Sequence, residues 1–237
     1  MLLNLKENAI FIADSHYNKQ RIEFQNLLND ILNSKIKTSQ LFLMGDMFDF
    51  LCDEVSYFKT INQNIINTIN KLSLDIEIIY LEGNHDFNLK DIFPNCIVVK
   101  RENQPLIIED NEKYIAISHG DIFTPTSYNI FTAIIRNRYF LKLLNLFDIN
   151  NTISKYFESK LIKKDICHDF KDFDSFAQNR INLYKKYDDT SLIIEGHYHQ
   201  GKEYSKYINI PSLACDNFYS LVKIKEDKII LQHLQYS

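Results

Sequence analysis

The chain has 237 residues, a formal net charge of −4, and 45% hydrophobic and 24% charged residues. These are ordinary values for a globular protein, and the chain is long enough to bury a full hydrophobic core. The net charge gives no indication of a nucleic-acid partner. No apolar run approaches the roughly 18 residues that a membrane span requires. The first residues lack the basic and apolar regions of a signal peptide, so we expect a cytoplasmic protein.

The first half of the chain alternates short apolar runs with amphipathic stretches. Strands are predicted at 9–13, 41–44 and 76–81, and helices at 19–34 and near 54–72. Strands separated by helices of this length indicate a layered α/β fold.

The second half begins with strands and then changes character. Strands are predicted at 96–99, 106–108 and 114–118, then only helical periodicity from Ser127 to about Asp188, then strands at 191–195, 221–224 and 229–234. We therefore predict a single α/β domain over residues 1–237 with a helical cap, residues 122–190, inserted in it.

The four cysteines of the chain are widely separated. Cys52, Cys96, Cys167 and Cys215 include no Cys-x-x-Cys pair. In a cytoplasmic protein this pattern predicts reduced thiols, and it argues against a disulfide framework or a cysteine zinc site.

Polar residues cluster directly after the predicted strands. The clusters are Asp14-Ser15-His16, Gly45-Asp46-Met47-Phe48-Asp49, Gly83-Asn84-His85-Asp86, Ser118-His119-Gly120-Asp121 and Gly196-His197-Tyr198-His199. They contain five of the seven histidines of the chain. Because ligands of α/β proteins bind beyond the carboxyl ends of the strands, we expect these loops to converge on one site.

The residue types in these clusters match a divalent cation. Carboxylate and amide oxygens suit Mg²⁺ or Mn²⁺, and imidazole extends the range to Fe and Zn. The candidate ligands are Asp14, His16, Asp46, Asn84, His119, His197 and His199. Seven ligands exceed the needs of one four-coordinate ion but suit two ions that share a carboxylate. Such a pair clamps a phosphoryl group and activates water, which favours a phosphoesterase.

The five clusters, in this order, resemble the motifs of the calcineurin-like metallophosphoesterase family. The resemblance implies a sandwich of two mixed sheets flanked by helices, and two divalent cations, for which we expect Mn²⁺. It implies that one metal is held by Asp14, His16, Asp46 and His199, and the other by Asp46, Asn84, His119 and His197. Asp46 would then bridge the two ions.

The same resemblance implies catalytic roles for His85 and Asp86. His85 would lie beside the scissile phosphate, where it stabilises charge or protonates the leaving oxygen, and Asp86 would orient it. Asp49 and Asp121 either support the ligands from behind or simply belong to turns.

The segment from Ile122 to Lys164 is basic and rich in aromatic and aliphatic residues. It carries seven basic and two acidic residues, a net charge of +5, which leaves −9 for the remainder of the chain. A basic amphipathic helical segment is typical of contact with a membrane surface or an anionic lipid. The alternative is an ordinary helical lid with solvated lysines.

His119-Gly-Asp followed by Tyr128-x-x-Phe131-x-x-x-x-Arg136-Asn137 resembles the UDP-2,3-diacylglucosamine pyrophosphatases of lipid A biosynthesis. The resemblance implies Mn²⁺-dependent hydrolysis of that lipid-linked sugar nucleotide at the cytoplasmic face of the inner membrane. His85 departs from the best-known branch, which carries Arg at this position. The implied substrate-binding residues are Asn84, His85, Tyr128, Phe131, Arg136, Asn137, Lys160, Lys163 and Lys164.

Two other functions remain open at this point. One is a phosphoesterase for a soluble nucleotide, in which the cap closes over a small substrate. The other is a non-enzymatic scaffold of the same fold that binds proteins. We expect no nucleic-acid partner and infer no obligate protein partner.

Overall fold

The structure, a computed structural model, describes residues 3–110, 113–187, 189–226 and 228–237. The strands are β1 (Ile10–Ile12), β2 (Gln40–Leu43), β3 (Glu77–Leu81), β4 (Ile97–Val99), β5 (Leu106–Asp110), β6 (Lys113–Ser118), β7 (Thr190–Glu195), β8 (Lys202–Tyr204), β9 (Tyr207–Asn209), β10 (Phe218–Lys225) and β11 (Lys228–Gln235). The α-helices are α1 (Glu23–Leu32), α2 (Ser56–Ile61), α3 (Gln63–Leu72), α4 (Thr126–Ile135), α5 (Arg138–Phe147), α6 (Thr152–Ile162), α7 (Phe173–Leu183) and α8 (Leu213–Asp216).

The strands form two mixed sheets. The first has the order β11-β10-β1-β2-β3-β4, in which β1 to β4 are parallel and β10 and β11 are antiparallel additions. The second has the order β5-β6-β7-β9-β8, with β6, β7 and β9 parallel. The central strands of both sheets are parallel, so their carboxyl ends can supply one site.

The two sheets pack face to face with helices outside. Phe11 and Phe42 of the first sheet are buried in one cluster with Ile115 and Ile194 of the second, and the two phenylalanine rings stack with centroids 4.3 Å apart. Alternate residues such as Ile10 point the other way, against α1 and α3. The predicted α/β sandwich of two mixed sheets flanked by helices is confirmed.

Helices α4 to α7 follow β6 and precede β7, and α7 is fastened to the second sheet by a buried ion pair. Arg180 of α7 donates from Nη2 to Glu195 Oε1 over 2.6 Å, and the hydroxyls of Tyr184 and Tyr207 donate to the same carboxylate. Arg180 also reaches the carbonyl of Gly120. The pair therefore joins the end of the helical segment to the strand ends that lead into His119 and His197.

Two details of the predicted elements differ from the structure. The single helix expected near 54–72 is two helices, because Asn62 leaves helical geometry at φ −100° and ψ 4°. The prediction also missed β8, β9 and α8, which are three or four residues long. Asp188, where the helical block was expected to end, lies outside the described residues.

The prediction of four reduced thiols was wrong. Cys167 and Cys215 form a disulfide with Cα atoms 5.7 Å apart, whereas Cys52 and Cys96 are free and buried. The paired cysteines are separated by 48 residues in sequence. The loop after α6 lies against α8, a long-range contact that cysteine spacing does not reveal.

We find no helix in the described parts of the chain whose length and hydrophobicity would let it cross a membrane.

Candidate active site

The predicted ligands converge where the parallel strands end. Three groups of side chains have ligand atoms within 4.8 Å of one another: Asp14 with His16 and His199, Asp46 with His119 and His197, and His16 with Asp46 and His85. The first group contains three of the four residues expected for one metal, without Asp46, and the second contains three of the four expected for the other. Asn84 joins the second set, because its Oδ1 lies 3.3 Å from His119 Nε2.

Backbone carbonyls select the tautomer of three histidines in the site. His119 Nδ1 lies 2.9 Å from the carbonyl of Met44, His199 Nδ1 2.8 Å from that of Ile166, and His85 Nδ1 2.6 Å from that of Asp49. A carbonyl only accepts, so each Nδ1–H donates, and in the neutral ring Nε2 carries the lone pair. This is the arrangement that supports metal-binding histidines.

Two buried atoms of the predicted ligands lack a hydrogen-bond partner. They are Asp14 Oδ1, which faces His199 Nε2 at 3.3 Å without a hydrogen bond, and His16 Nδ1. An unsatisfied buried polar atom costs about 1–3 kcal/mol, and a cation would relieve that cost at Asp14. The donor set and this unsatisfied oxygen fit a pair of divalent cations.

Five of the seven predicted ligands adopt a left-handed backbone conformation. The φ values lie between 40° and 66° at Asp14, His16, Asp46, His197 and His199. Such a conformation costs of order 1–3 kcal/mol for a residue with a side chain and is concentrated at functional sites. Here it turns consecutive side chains of short loops towards one point.

Two glycines allow the loops to approach one another. Gly45 has φ 89°, and a Cβ there would lie 2.6 Å from His119 Nδ1. A Cβ at Gly83 would overlap the carboxylate of Asp46. No other residue type fits at these two positions without displacing a predicted ligand.

The charges of the site depend on one another. Burial raises the pKa of Asp46, but the surrounding histidines, His119 first, outweigh it and hold the pKa well below its usual range. Burial lowers the pKa of His119, and the charges of Asp46 and Asp14 outweigh it and raise the pKa to about 9. Burial and the charge of His119 together lower the pKa of His197 to about 4.

The facing nitrogens of His119 and His197, 3.1 Å apart, therefore hold one proton between them. A divalent cation bound by both rings would take the place of that proton.

Asp86 does not orient His85, and that expectation was wrong. The carboxylate of Asp86 is fully buried and accepts the backbone N–H groups of Asp46, Met47 and Gly83 as well as the hydroxyl of Tyr80. The carboxylate of Asp86 therefore binds the backbone of the two loops that follow β2 and β3. The ring of His85 is instead oriented by the carbonyl of Asp49, and its backbone N–H donates to Asp46 Oδ1.

Asp49 and Asp121, whose roles the sequence left open, both hold arginines. Asp49 accepts from Arg21 Nη2 over 2.6 Å and from Asn18 Nδ2 over 2.6 Å, with its carboxylate 3.6 Å from His16 Nδ1. The carboxylate of Asp49 therefore lies on the Nδ1 side of the His16 ring and helps to orient it. No motif in the sequence marked Arg21 or Asn18, since neither lies in one of the five clusters.

Asp121 connects the first helix of the cap to the site. Its carboxylate lies 2.9 Å from Arg101 Nε and 3.3 Å from Arg136 Nη2. Arg136 also donates to the carbonyl of Gly83 over 2.7 Å. The guanidinium of Arg136 thus ties the end of α4 to the loop that carries Asn84 and His85.

The other predicted substrate-binding residues lie on or near the cap. Tyr128 is half-buried beneath the guanidinium of Arg101, and Asn137 caps α5 by accepting the backbone N–H of Phe140. Phe131 is 57% exposed. Lys160 and Lys163 are exposed, whereas Lys164 brings its Nζ to 3.5 Å from His85 Nε2. As substrate contacts, all of these stay predictions.

Comparison with known proteins identifies the family. The model of the calcineurin-like phosphoesterases matches residues 8–201, which include all five clusters. The chain belongs to this family. It is accordingly a hydrolase of the metallophosphoesterase class, whose members use divalent metals.

Individual relatives of this phosphoesterase are distant. A UDP-2,3-diacylglucosamine hydrolase of Aromatoleum aromaticum is 23% identical over 202 residues, 81% of this chain and 80% of that one. A dimetal phosphatase of Danio rerio is 11% identical with a TM-score of 0.48, covering 96% of this chain and 95% of that one. The phosphoesterase YfcE of E. coli is 11% identical with a TM-score of 0.44, covering 96% and 98%.

The assignment of Asp46 as the bridging ligand can be tested by metal analysis of purified variants. Asp46→Ala should lose both divalent cations because it belongs to both ligand sets, whereas His199→Ala should weaken mainly one. Asp75→Ala, at an exposed carboxylate, is the matched control and should bind as the wild type does. Two bound ions in Asp46→Ala would disprove the bridge.

His85 can be separated from the metal ligands by its effect on turnover. His85→Ala should keep both cations and lose activity by about 10²–10⁴-fold, the usual contribution of a positioned acid–base group. His85→Arg should retain part of the activity, since the guanidinium also presents a hydrogen-bond donor to the phosphate. The exposed His168→Ala serves as the control in steady-state assays with metal content measured in parallel. Near-full activity of His85→Ala would show a structural role only.

Proposed function

We propose that this phosphoesterase hydrolyses the pyrophosphate bond of UDP-2,3-diacylglucosamine with two Mn²⁺ ions, releasing UMP and 2,3-diacylglucosamine 1-phosphate. The observation that carries the proposal is an apolar groove of 380 Å³ between the cap helices and the core. Aromatic and aliphatic side chains line most of it: Phe50, Val55, Phe58, Phe87, Phe131, Ile135, Phe140, Leu141, Leu144, Ile153, Tyr156 and Phe157. A groove of this chemistry suits hydrocarbon chains better than a nucleotide alone.

Two residues of the groove directly follow active-site residues in the chain. Phe50 directly follows Asp49, which bonds to His85, and Phe87 directly follows Asp86. The guanidinium of Arg136 lies 5.3 Å from the centroid of the Phe87 ring. A substrate with a charged phosphate and an attached aliphatic part can thus occupy the ligand loops and the groove together.

The residues of the chain divide the work of this reaction. Asp14, His16, Asp46 and His199 would hold one cation, and Asp46, Asn84, His119 and His197 the other. When bound, the two cations neutralise phosphoryl charge and activate water. Asp46 and Asp14 keep the site anionic, and the carbonyls behind His119 and His199 keep their Nε2 atoms available.

His85 and Lys164 would act on the phosphate itself. The Nε2 of His85 lies 3.5 Å from Nζ of Lys164, so both side chains can contact the same phosphate group. The protonated ring can pass its proton to the leaving oxygen. The distant relative named UDP-2,3-diacylglucosamine hydrolase supports the same choice of substrate.

Acyl-chain dependence tests the substrate. Because each buried CH₂ contributes roughly 0.8 kcal/mol, removing several methylenes from each chain should raise the apparent KM by orders of magnitude. Leu144→Asp, which puts a charge in the groove, should damage hydrolysis of the lipid substrate. Hydrolysis of bis-p-nitrophenyl phosphate should remain nearly intact, because the ligands lie on the core loops.

The control for this experiment lies outside the cap. Leu74 is 71% exposed and does not line the groove, so Leu74→Asp should hydrolyse the lipid normally. If the purified enzyme hydrolyses UDP-GlcNAc as well as the diacylated substrate, it is a phosphoesterase for soluble nucleotides. That result would refute the assignment of the lipid substrate but not that of the metal site.

We also propose that the cap docks on an anionic membrane surface at the cytoplasmic face of the inner membrane. Tyr139, Leu146, Phe147 and Ile149 are each more than 60% exposed and do not line the groove. Exposed lysines accompany them on the cap helices, including Lys142 and Lys155. Apolar side chains beside basic ones fit a bilayer that contains anionic lipid.

Vesicle co-sedimentation tests the docking surface. The protein should bind vesicles containing phosphatidylglycerol, bind pure phosphatidylcholine vesicles less, and dissociate as the salt concentration rises. Leu146→Asp with Phe147→Asp should reduce binding. Leu74→Asp, a change at a leucine 71% exposed but distant in sequence from the cap, should have no effect. Equal loss in both variants would contradict docking through the cap.

A further inference from the structure

The disulfide between Cys167 and Cys215 lies beside a predicted metal ligand. Cys167 belongs to the loop between α6 and α7, and Cys215 belongs to α8. The Sγ of Cys215 is 3.6 Å from His199 Nδ1. Neither cysteine is part of the five clusters, so the metal site described above makes no use of this bond.

One end of the disulfide is fixed to the strand end that carries Asp14. The backbone N–H groups of Leu213 and Ala214 in α8 donate to the carbonyls of Ala13 and Asp14, over 3.0 and 3.2 Å. The hydroxyl of Ser212 donates to the carbonyl of Asp14 over 2.8 Å. Helix α8 therefore has a defined position relative to the Asp14 carboxylate.

The other end of the disulfide directly follows, in sequence, the residue whose carbonyl contacts His199. Ile166 immediately precedes Cys167, and its carbonyl accepts the Nδ1–H of His199 over 2.8 Å. His199 then presents Nε2 at 3.3 Å from Asp14 Oδ1. The disulfide thus closes a connection that runs from Asp14 through α8 and Ile166 to His199.

The described contacts of the loop show why this bond matters for Ile166. Beyond Cys167 the loop is held by Gln200, which donates to the carbonyl of His168 and accepts the backbone N–H of Phe170. Before Cys167, Lys163 and Lys164 are exposed. The disulfide is a covalent cross-link that begins at Cys167, the residue next to Ile166.

We propose that the Cys167–Cys215 disulfide is a positioning element of the metal site: it holds the Ile166 carbonyl against His199, and its reduction selectively weakens the cation bound by Asp14, His16 and His199. The inference rests on His199 being a metal ligand and does not depend on the lipid substrate. Partners that orient a metal-binding histidine typically change metal affinity by 10–100-fold.

Reduction requires a dithiol, and the exposure of Cys167 determines where it attacks. A thiolate of the dithiol attacks Cys167 Sγ, which is on an exposed residue, and Cys215 leaves as a thiolate. The second thiol of the reagent then releases Cys167. Two electrons pass from the dithiol, which becomes a disulfide, and with two protons the protein gains two thiols.

Manganese titration of the metal-free full-length protein tests the proposal. The oxidised protein should bind two Mn²⁺ ions and show the electron paramagnetic resonance spectrum of a coupled pair. After reduction with dithiothreitol and its removal under anaerobic conditions, one site should lose affinity by about 10–100-fold, and the signal of isolated Mn²⁺ should appear. Cys167→Ser with Cys215→Ser should behave like the reduced protein, and dithiothreitol should not change it further.

A double-mutant cycle with His199→Ala separates positioning from general stability. If the disulfide acts through His199, reducing it in His199→Ala should cause no further loss of Mn²⁺ affinity. A merely structural disulfide would lower the thermal unfolding temperature of the metal-free protein while leaving both affinities and the coupled spectrum unchanged, and that result would overturn the proposal. An oxidised protein that binds no pair of ions would overturn it as well, together with the metal site of the proposed function. If the protein binds two ions but does not hydrolyse the lipid substrate, only the substrate named in the proposed function is refuted.

Discussion

The buried carboxylate of Asp86 is the contact on which the geometry of the active site depends. It accepts three backbone N–H groups from the loops that follow β2 and β3, and a hydroxyl from Tyr80 beneath them. A carboxylate can be buried only if its oxygens are satisfied, and these four donors satisfy them. Burial and the charge of Asp46 nevertheless raise the pKa of Asp86 to about 6. The loops stay together because separating them would leave this carboxyl group without its partners.

Because the loops are held together, their charged and titratable side chains lie close to one another and shift one another's pKa values. Several buried imidazoles surround Asp46, so the pKa of each ring depends on the charge of its neighbours. The unusual backbone conformation of five ligand residues has the same origin, because short loops must turn their side chains inward within one or two residues. The crowded charges and the left-handed backbone are unfavourable, and the two hydrophobic layers on either side of the first sheet provide the stability that offsets them.

Much of this arrangement could be predicted from the sequence, for identifiable reasons. Strand periodicity and the position of polar residues after each strand are local signals, and they placed the sheets and brought Asp14, Asp46 and His197 to one region. The partners behind the ligands are set by long-range packing. Arg21, Arg101 and the Ile166 carbonyl carry no local pattern, and the pairing of cysteines 48 residues apart depends on where a loop happens to lie. The mistaken role of Asp86 has the same cause: adjacency to His85 in the chain suggested a contact that the turn directs elsewhere.

Phe50 and Phe87 line the groove and lie next to active-site residues in the chain. This position limits which residues of the groove can vary between related enzymes. Each ring is separated by one peptide bond from a residue of the active-site loops, so a change in its size acts on the backbone of those loops. The opposite wall belongs to the cap, where Phe131, Leu144 and Phe157 are attached to helices rather than to ligand loops. Variation between orthologues, and resistance to an inhibitor seated in the groove, should therefore accumulate on the helical wall while the core wall stays invariant.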